Sequence, residues 1–155
     1  MRNKLASVFA AVWHRINGTY LWYLIWLFNA KFFVDVHGTV FDQAGRVLLV
    51  RARLGDKDEW SLPGGIVKRG ETWNAGFARE VKEETGVTLR DARLLYVLSG
   101  YKLRVEAYFT ALADGGDLHA DSWEVLEAGW FALDALPARV AAQHRQVIAL
   151  ARENN

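Results

Sequence analysis

Residues 64–87, "GGIVKRGETWNAGFAREVKEETGV", constrain this chain more than any other stretch, because a glycine-rich turn runs into a helix-length segment that crowds Glu80, Glu83 and Glu84 together. Like charges at i,i+4 weaken a helix by a few tenths of a kcal/mol, so the cluster asks for something positive between its members. Thr72 suits the N-cap, the helix is predicted over Trp73 to Thr85, and Gly86 suits the left-handed residue that ends it. At about 100° per residue, Glu83, Glu80 and Glu84 share an arc of about 100° while Ala78, Val81 and Thr85 point away. One side then faces a core and the other presents carboxylates. A merely solvated face would interleave lysines, and only Lys82 is there, on the far side from Glu80. Gly76 lies on the acidic side, at a cost in helix stability, and is expected to leave room for an approaching group.

The rest of the chain bounds the setting. At 155 residues and 52% hydrophobic content, it suits one domain with a real core. Nineteen basic residues against 18 acidic ones leave no global field that argues for nucleic acid or a strongly acidic partner. The absence of cysteine removes disulfides, thiolate zinc sites and thiol nucleophiles, with cytoplasm as the default compartment. "KFFVDVHGTVF" (31–41) and "RVLLVRAR" (46–53) flank the turn chemistry of "DQAG" and predict a hairpin. Further strands are expected at 93–100, 104–112 and 128–133. The tail places Val140, His144, Val147, Ile148 and Ala151 at helical spacing, with Pro137 suited to the first turn. His144 on that stripe is expected to be a packed residue, not a ligand.

Residues 1–30 form a separate arm, and 31–155 the domain. Residues 1–34 hold Arg2, Lys4, Arg15 and Lys31 and no acid before Asp35. Apolar runs "LASVFAAVW" and "YLWYLIWLF" flank the polar "HRING". A cleaved leader lacks a good small-residue cleavage site here. A spanning helix needs about 20 apolar residues, more than either run supplies. The arm is read as a hydrophobic helical segment that packs on the domain, contacts a second subunit as a homodimer, or lies at a membrane surface through Trp13, Trp22, Tyr23 and Trp26.

Three carboxylates on one helical face make a hard, oxygen-only site suited to Mg²⁺ or Mn²⁺. The preceding "LPGG" brings backbone close to a ligand with no Cβ in the way, so a carbonyl from Gly64 or Gly65 is a candidate for the shell. Such ions complete their shells with substrate phosphates, which points to phosphoryl chemistry.

These residues closely resemble the Nudix hydrolase signature: Gly65, Glu71, Arg79, Glu80, Val81, Glu83, Glu84, Gly86 and Val87 fill every defined position. The likeness extends over roughly 32–137 through "WSLPGG" and "SWEVLEAGWFALDALP", and residues 1–30 have no counterpart in the common core. The resemblance implies an α/β/α sandwich around a mixed sheet, and Mg²⁺-dependent attack of water on a diphosphate linked to another moiety, typically a nucleoside. It implies Glu80 and Glu84 as direct metal ligands, Glu83 as a direct or water-mediated one, and help from the Gly64 carbonyl. Arg79 would orient the glutamates and Glu71 would hold the loop to the helix.

The proton acceptor is Glu80 or Glu124, with Glu127 as the nearby competitor and His119 as a loop residue expected to be exposed. For substrate, Arg51 and Arg53 are candidates to meet phosphates and Trp60 to stack on a base; packing and ordinary solvated charge are the bland alternatives. The Lys68–Arg69 pair has the same two readings. The family's ADP-ribose and dinucleoside polyphosphate markers are not present in convincing form around Leu98 to Val105. The partner expected is a small nucleotide-type molecule, not a specific nucleic acid. The alternative function is a silent nucleotide sensor of the same fold, and a diphosphate isomerase would need further catalytic residues.

Overall fold

The computed structural model describes residues 18–54, 56, 58–99, 101–120 and 123–154. The chain divides into two compact units between Phe32 and Phe33. In the first, helix α1 (Gly18–Phe28) has no buried residue; the arm's earlier residues, Trp13 among them, lie outside the described residues.

The second unit runs β1 (Phe33–Phe41), β2 (Val47–Ala52), β3 (Trp60–Ser61), β4 (Gly64–Ile66), α2 (Trp73–Thr85), β5 (Thr88–Ser99), β6 (Arg104–Gly115), β7 (Val125–Phe131) and α3 (Ala142–Glu153). The seven strands form one mixed sheet in the order β3-β2-β1-β6-β5, with β4 paired to β1 and β7 to β2. Period-two alternation gives the central strands two apolar faces. Val36, Val40, Leu48, Ala107 and Phe109 pack with Phe77 and Val81 of α2 on one side. Phe41, Val47, Leu49 and Tyr108 pack with Val147, Ile148 and Ala151 of α3 on the other. The result is the α/β/α sandwich that the resemblance implied. Gly38 is needed at its centre: a Cβ there would sit 2.6 Å from the Phe77 ring, which stacks on Phe109 with centroids 5.2 Å apart.

One local expectation, the 31–53 hairpin, holds only at its turn, and a second, the start of the tail helix, is corrected. The 42–45 turn is real, with the Asp42 carboxylate accepting the N–H groups of Ala44 and Arg46 at 2.9 and 2.8 Å, but the hairpin ladder ends at Phe41↔Val47. Strand β1 pairs along its length with β6, in parallel, from Phe33↔Arg104 to Phe41↔Leu112. The tail helix starts at Ala142, well after Pro137. The Trp60 N–H donates to the Arg139 carbonyl at 2.8 Å and the Ala141 N–H to the Trp60 carbonyl at 3.0 Å, so residues 139–141 are held as an extended bridge to β3 and are withheld from the helix.

Candidate active site

Helix α2 has the boundaries its sequence predicts. The Thr72 hydroxyl accepts the Ala75 N–H, and Gly86 closes the helix at φ 75° while its N–H returns to the Lys82 carbonyl. Phe77, Val81 and Thr85 are buried against the sheet, which turns Arg79, Glu80 and Glu83 toward the β4 turn. The room at Gly76 serves the protein itself, not a ligand: a Cβ there would meet the Glu71 carboxylate at 3.1 Å and Val67 at 3.4 Å. At Gly65 a Cβ would lie 2.7 Å from the Glu80 carboxyl carbon, so this glycine lets Glu80 reach the turn.

One guanidinium organises the acids. Arg79 donates to Glu71 through Nε (2.8 Å) and Nη2 (3.0 Å), and through Nη1 to Glu80 (2.7 Å) and Glu83 (3.0 Å). Its Nη2 also donates to the Ile66 carbonyl at 3.1 Å, tying β4 to the helix. Glu71 in turn accepts the Lys68 N–H at 3.0 Å, and the hydrogen bonds from Arg79 hold its carboxyl down at about 2. Those same contacts, Glu71 first, raise Arg79 above its ordinary range. Lys68 Nζ reaches Glu83 at 3.3 Å.

Glu84 stands differently. It is 8% exposed, and one carboxylate oxygen accepts the Gly64 N–H at 2.9 Å. Burial, reinforced by Glu80, Glu124 and Glu83, pushes its carboxyl up to about 8 against that single favourable bond. Burial also raises Glu80, against the pull of Arg79.

Gly65, Lys68, Arg79, Glu80, Glu83, Glu84, Trp123 and Glu124 line one cavity of about 630 Å³. Four carboxylates thus face two cations. That excess of hard oxygen donors fits a divalent ion in chemistry, although among the described residues no three acidic or histidine side chains already stand as a coordination group. Arg79 already holds one oxygen of Glu80 and one of Glu83, so a bound ion would share these carboxylates with the guanidinium.

The other candidates separate cleanly. Glu124 reaches the cavity, whereas Glu127 pairs with Arg51 at 2.6 Å. A register shift between Arg51 and Ala52 in the β2–β7 ladder marks where the two glutamates part. Arg51 and Trp60 are not among the cavity's lining residues; Trp60 packs edge-on against Phe131, centroids 4.7 Å apart. Arg53 grips the loop that carries Glu124, its backbone N–H donating to the Glu124 carbonyl at 2.7 Å and its Nε to the Trp123 carbonyl at 2.8 Å. His119 is exposed and bonds the Thr85 carbonyl through its backbone. His144 is packed: its Nδ1 accepts the Leu62 N–H at 2.9 Å, and burial lowers it to about 3. Trp123, 68% exposed at the cavity, was not anticipated, since nothing in a loop tryptophan's local sequence marks the cavity it will border.

The fold, the turn and the acid-bearing helix coincide with a known domain: a NUDIX domain model matches residues 31–151. The chain belongs to the Nudix hydrolase family. It is 32% identical over 108 residues to a MutT-like protein of Streptomyces ambofaciens, covering 70% of this chain and 69% of that one. It is 35% identical over 105 residues to the NAD-capped RNA hydrolase NudC of Mycobacterium tuberculosis, covering 66% of this chain and 34% of that protein, so it spans about a third of that relative's length. Among solved structures, the NUDIX domain of Shewanella oneidensis NrtR complexed with ADP ribose superposes with a TM-score of 0.70 at 25% identity, over 83% of this chain and 90% of that one. The matched Nudix region leaves the first 30 residues outside it.

Proposed function

We propose that residues 31–155 hydrolyse a diphosphate linkage in a nucleoside diphosphate linked to another moiety, with a divalent cation, Mg²⁺ or Mn²⁺, held by Glu80, Glu83, Glu84 and the Gly64 carbonyl. The observation that carries this is the convergence of Glu80, Glu83, Glu84 and Glu124 on one cavity. Glu80 and Glu84 are largely withdrawn from water, and like-charged carboxylates so placed are costly unless a cation offsets them. When bound, the cation supplies polarisation of the phosphoryl oxygens and a lowered pKa for water.

The chain's own residues do the rest. The Gly64 N–H holds Glu84 in place at 2.9 Å, and Arg79 keeps Glu80 and Glu83 oriented at the cavity wall. Water attacks phosphorus, the bond from phosphorus to the leaving oxygen breaks, and the water's proton passes to a carboxylate. Glu124 is favoured over Glu80 as that acceptor, because Glu80 already shares the Arg79 guanidinium and Glu124 comes from a separate segment of the cavity wall. Lys68 and Trp123 are the residues assigned to phosphate and base contact in place of Arg51 and Trp60. The likeness to a protein seen with ADP ribose and to a NAD-capped RNA hydrolase supports a substrate built on a nucleoside diphosphate.

A silent sensor is favoured by one observation, the occupation of Glu80 and Glu83 by Arg79. The test is product release from nucleoside triphosphates, nucleotide sugars, dinucleoside polyphosphates and capped RNA, with Mg²⁺ or Mn²⁺, for the parent and Glu84→Gln side by side. Metal-dependent turnover lost in the variant supports hydrolysis and names the substrate. Binding without turnover in the parent would instead assign the sensor.

A further inference from the structure

Helix α1, "GTYLWYLIWLF", carries no charged residue, and it has no part in the acidic cavity. Tyr20, Trp22, Tyr23, Leu24, Ile25, Trp26, Leu27 and Phe28 are between 44% and 81% exposed. At about 100° per residue these side chains cover the whole circumference, leaving no polar back. A helix that lies in a protein groove keeps a polar side toward water; one that is apolar all round needs surroundings that enclose it. A second copy of the helix would cover one side only, whereas lipid encloses every side.

The C-terminal end and the charge agree with lipid. Hydrocarbon demands that backbone groups find partners within the chain, and at the C-terminus the Asn29 side chain donates to the Ile25 carbonyl at 2.6 Å and Lys31 Nζ to the Leu27 carbonyl at 3.3 Å. Lys31 also lies 4.4 Å from the centroid of the Trp26 ring, the aromatic-plus-cation pairing that suits the headgroup level. Residues 1–34 hold Arg2, Lys4, Arg15 and Lys31 and no acid, so this end of the sequence is complementary to an anionic surface. The described part of α1, Gly18–Phe28, reaches about 16 Å, about half of the roughly 30 Å hydrocarbon core, and no helix among the described residues is long and apolar enough to cross a membrane. Phe32 and Phe33, which follow, are 46% and 65% exposed.

We propose that α1 and its basic flanks dock this chain on an anionic lipid bilayer, seated in one leaflet. The docking is independent of the hydrolytic reading. The full chain is floated with vesicles of phosphatidylcholine alone and of phosphatidylcholine with phosphatidylserine, at low salt and at about 1 M salt, where the Debye length is about 3 Å. It is expected to rise more strongly with the anionic vesicles than with the neutral ones at low salt, and high salt is expected to weaken that preference. Lys31→Gln should lower partitioning on anionic vesicles about fivefold. The double variant Ile25→Glu, Trp26→Glu should abolish flotation while leaving hydrolysis unchanged, because neither residue belongs to the acidic cavity. A chain that floats with neither vesicle overturns the proposal, and a dimer in light scattering that the double variant dissociates would assign the helix to a second copy instead. Equal flotation on both vesicles, with no effect of salt, overturns the electrostatic part.

Discussion

On the α2 side of the sheet, burial raises the carboxyls of Glu80 and Glu84; on the α3 side, the same burial lowers the imidazoles of His37 and His144. Desolvation disfavours charge in both places, but the consequences differ. The histidines become neutral and pack as uncharged rings, 5.5 Å apart between centroids, with His144 accepting a backbone N–H. The four acids of the cavity have only Arg79, Lys68 and one amide to offset them. The histidine face holds neutral rings, with only His37 Nδ1 buried among them without a hydrogen-bond partner, whereas the acidic face carries an excess of acids that a cation would offset.

The largest expected effect comes from breaking the acidic face. Glu84→Gln should lower turnover by on the order of 10³-fold and, in metal-free protein, raise stability. Glu84 is raised from 4.5 to about 8 in the folded state, so folding is favoured with it protonated; that favour is full below about 4.5 and is lost progressively as pH rises from there through about 8. The cost of ionising it there is on the order of 3–5 kcal/mol. Thermal melts of parent and variant between about pH 4.5 and about 9, with and without Mg²⁺, check this. Equal melting curves with no effect of Mg²⁺ on the parent would remove the distinction between the faces.

The histidine face should respond in the opposite direction. His144 falls from 6.5 to about 3 on folding, so the unfolded chain binds the proton first. The His144 contribution is full above about 6.5 and drops as pH falls toward about 3, by about 1.4 kcal/mol per pH unit, and His37, also lowered by burial, acts in the same direction. Urea titrations at descending pH measure the slope; a flat profile would show that the rings charge without cost.

Arg53→Ala tests how the acidic cavity is assembled. It removes the guanidinium bond to the Trp123 carbonyl and should lower kcat by on the order of 10-fold to 10²-fold through misplacement of Glu124, with KM changed less. A rise in KM alone would return Arg53 to direct phosphate binding. The smallest effect is local: Thr72→Ala removes the cap on α2 and should cost about 1 kcal/mol by chemical denaturation, a loss shared by the whole domain.

How much of this was legible depended on whether the signal was local. Thr72, the core stripe with Val81 and Thr85, and Gly86 fixed α2 from its own residues, because capping and 3.6-residue periodicity act within one segment. His144 was read as packed from its stripe, and it is. The Asp42 turn was legible for the same reason, but the parallel β1–β6 ladder was not, since its partners are some 70 residues apart in sequence and no local preference encodes the pairing. Pro137 signalled a first turn that a bridge from Trp60 moved to Ala142. The approach space at Gly76 was legible, and its occupant, Glu71, was not.

By itself, then, the sequence determined the acid-bearing helix, the glycine turn before it and the family they belong to, because those depend on spacing within about twenty residues. Tertiary structure alone decided which of two loop glutamates reaches the cavity, gave Arg53 to the Trp123–Glu124 loop and Arg51 to Glu127, and buried Glu84 while leaving Glu83 half exposed. Each of those outcomes turns on desolvation and on contacts between distant segments, and both exist only once the sheet has closed around them.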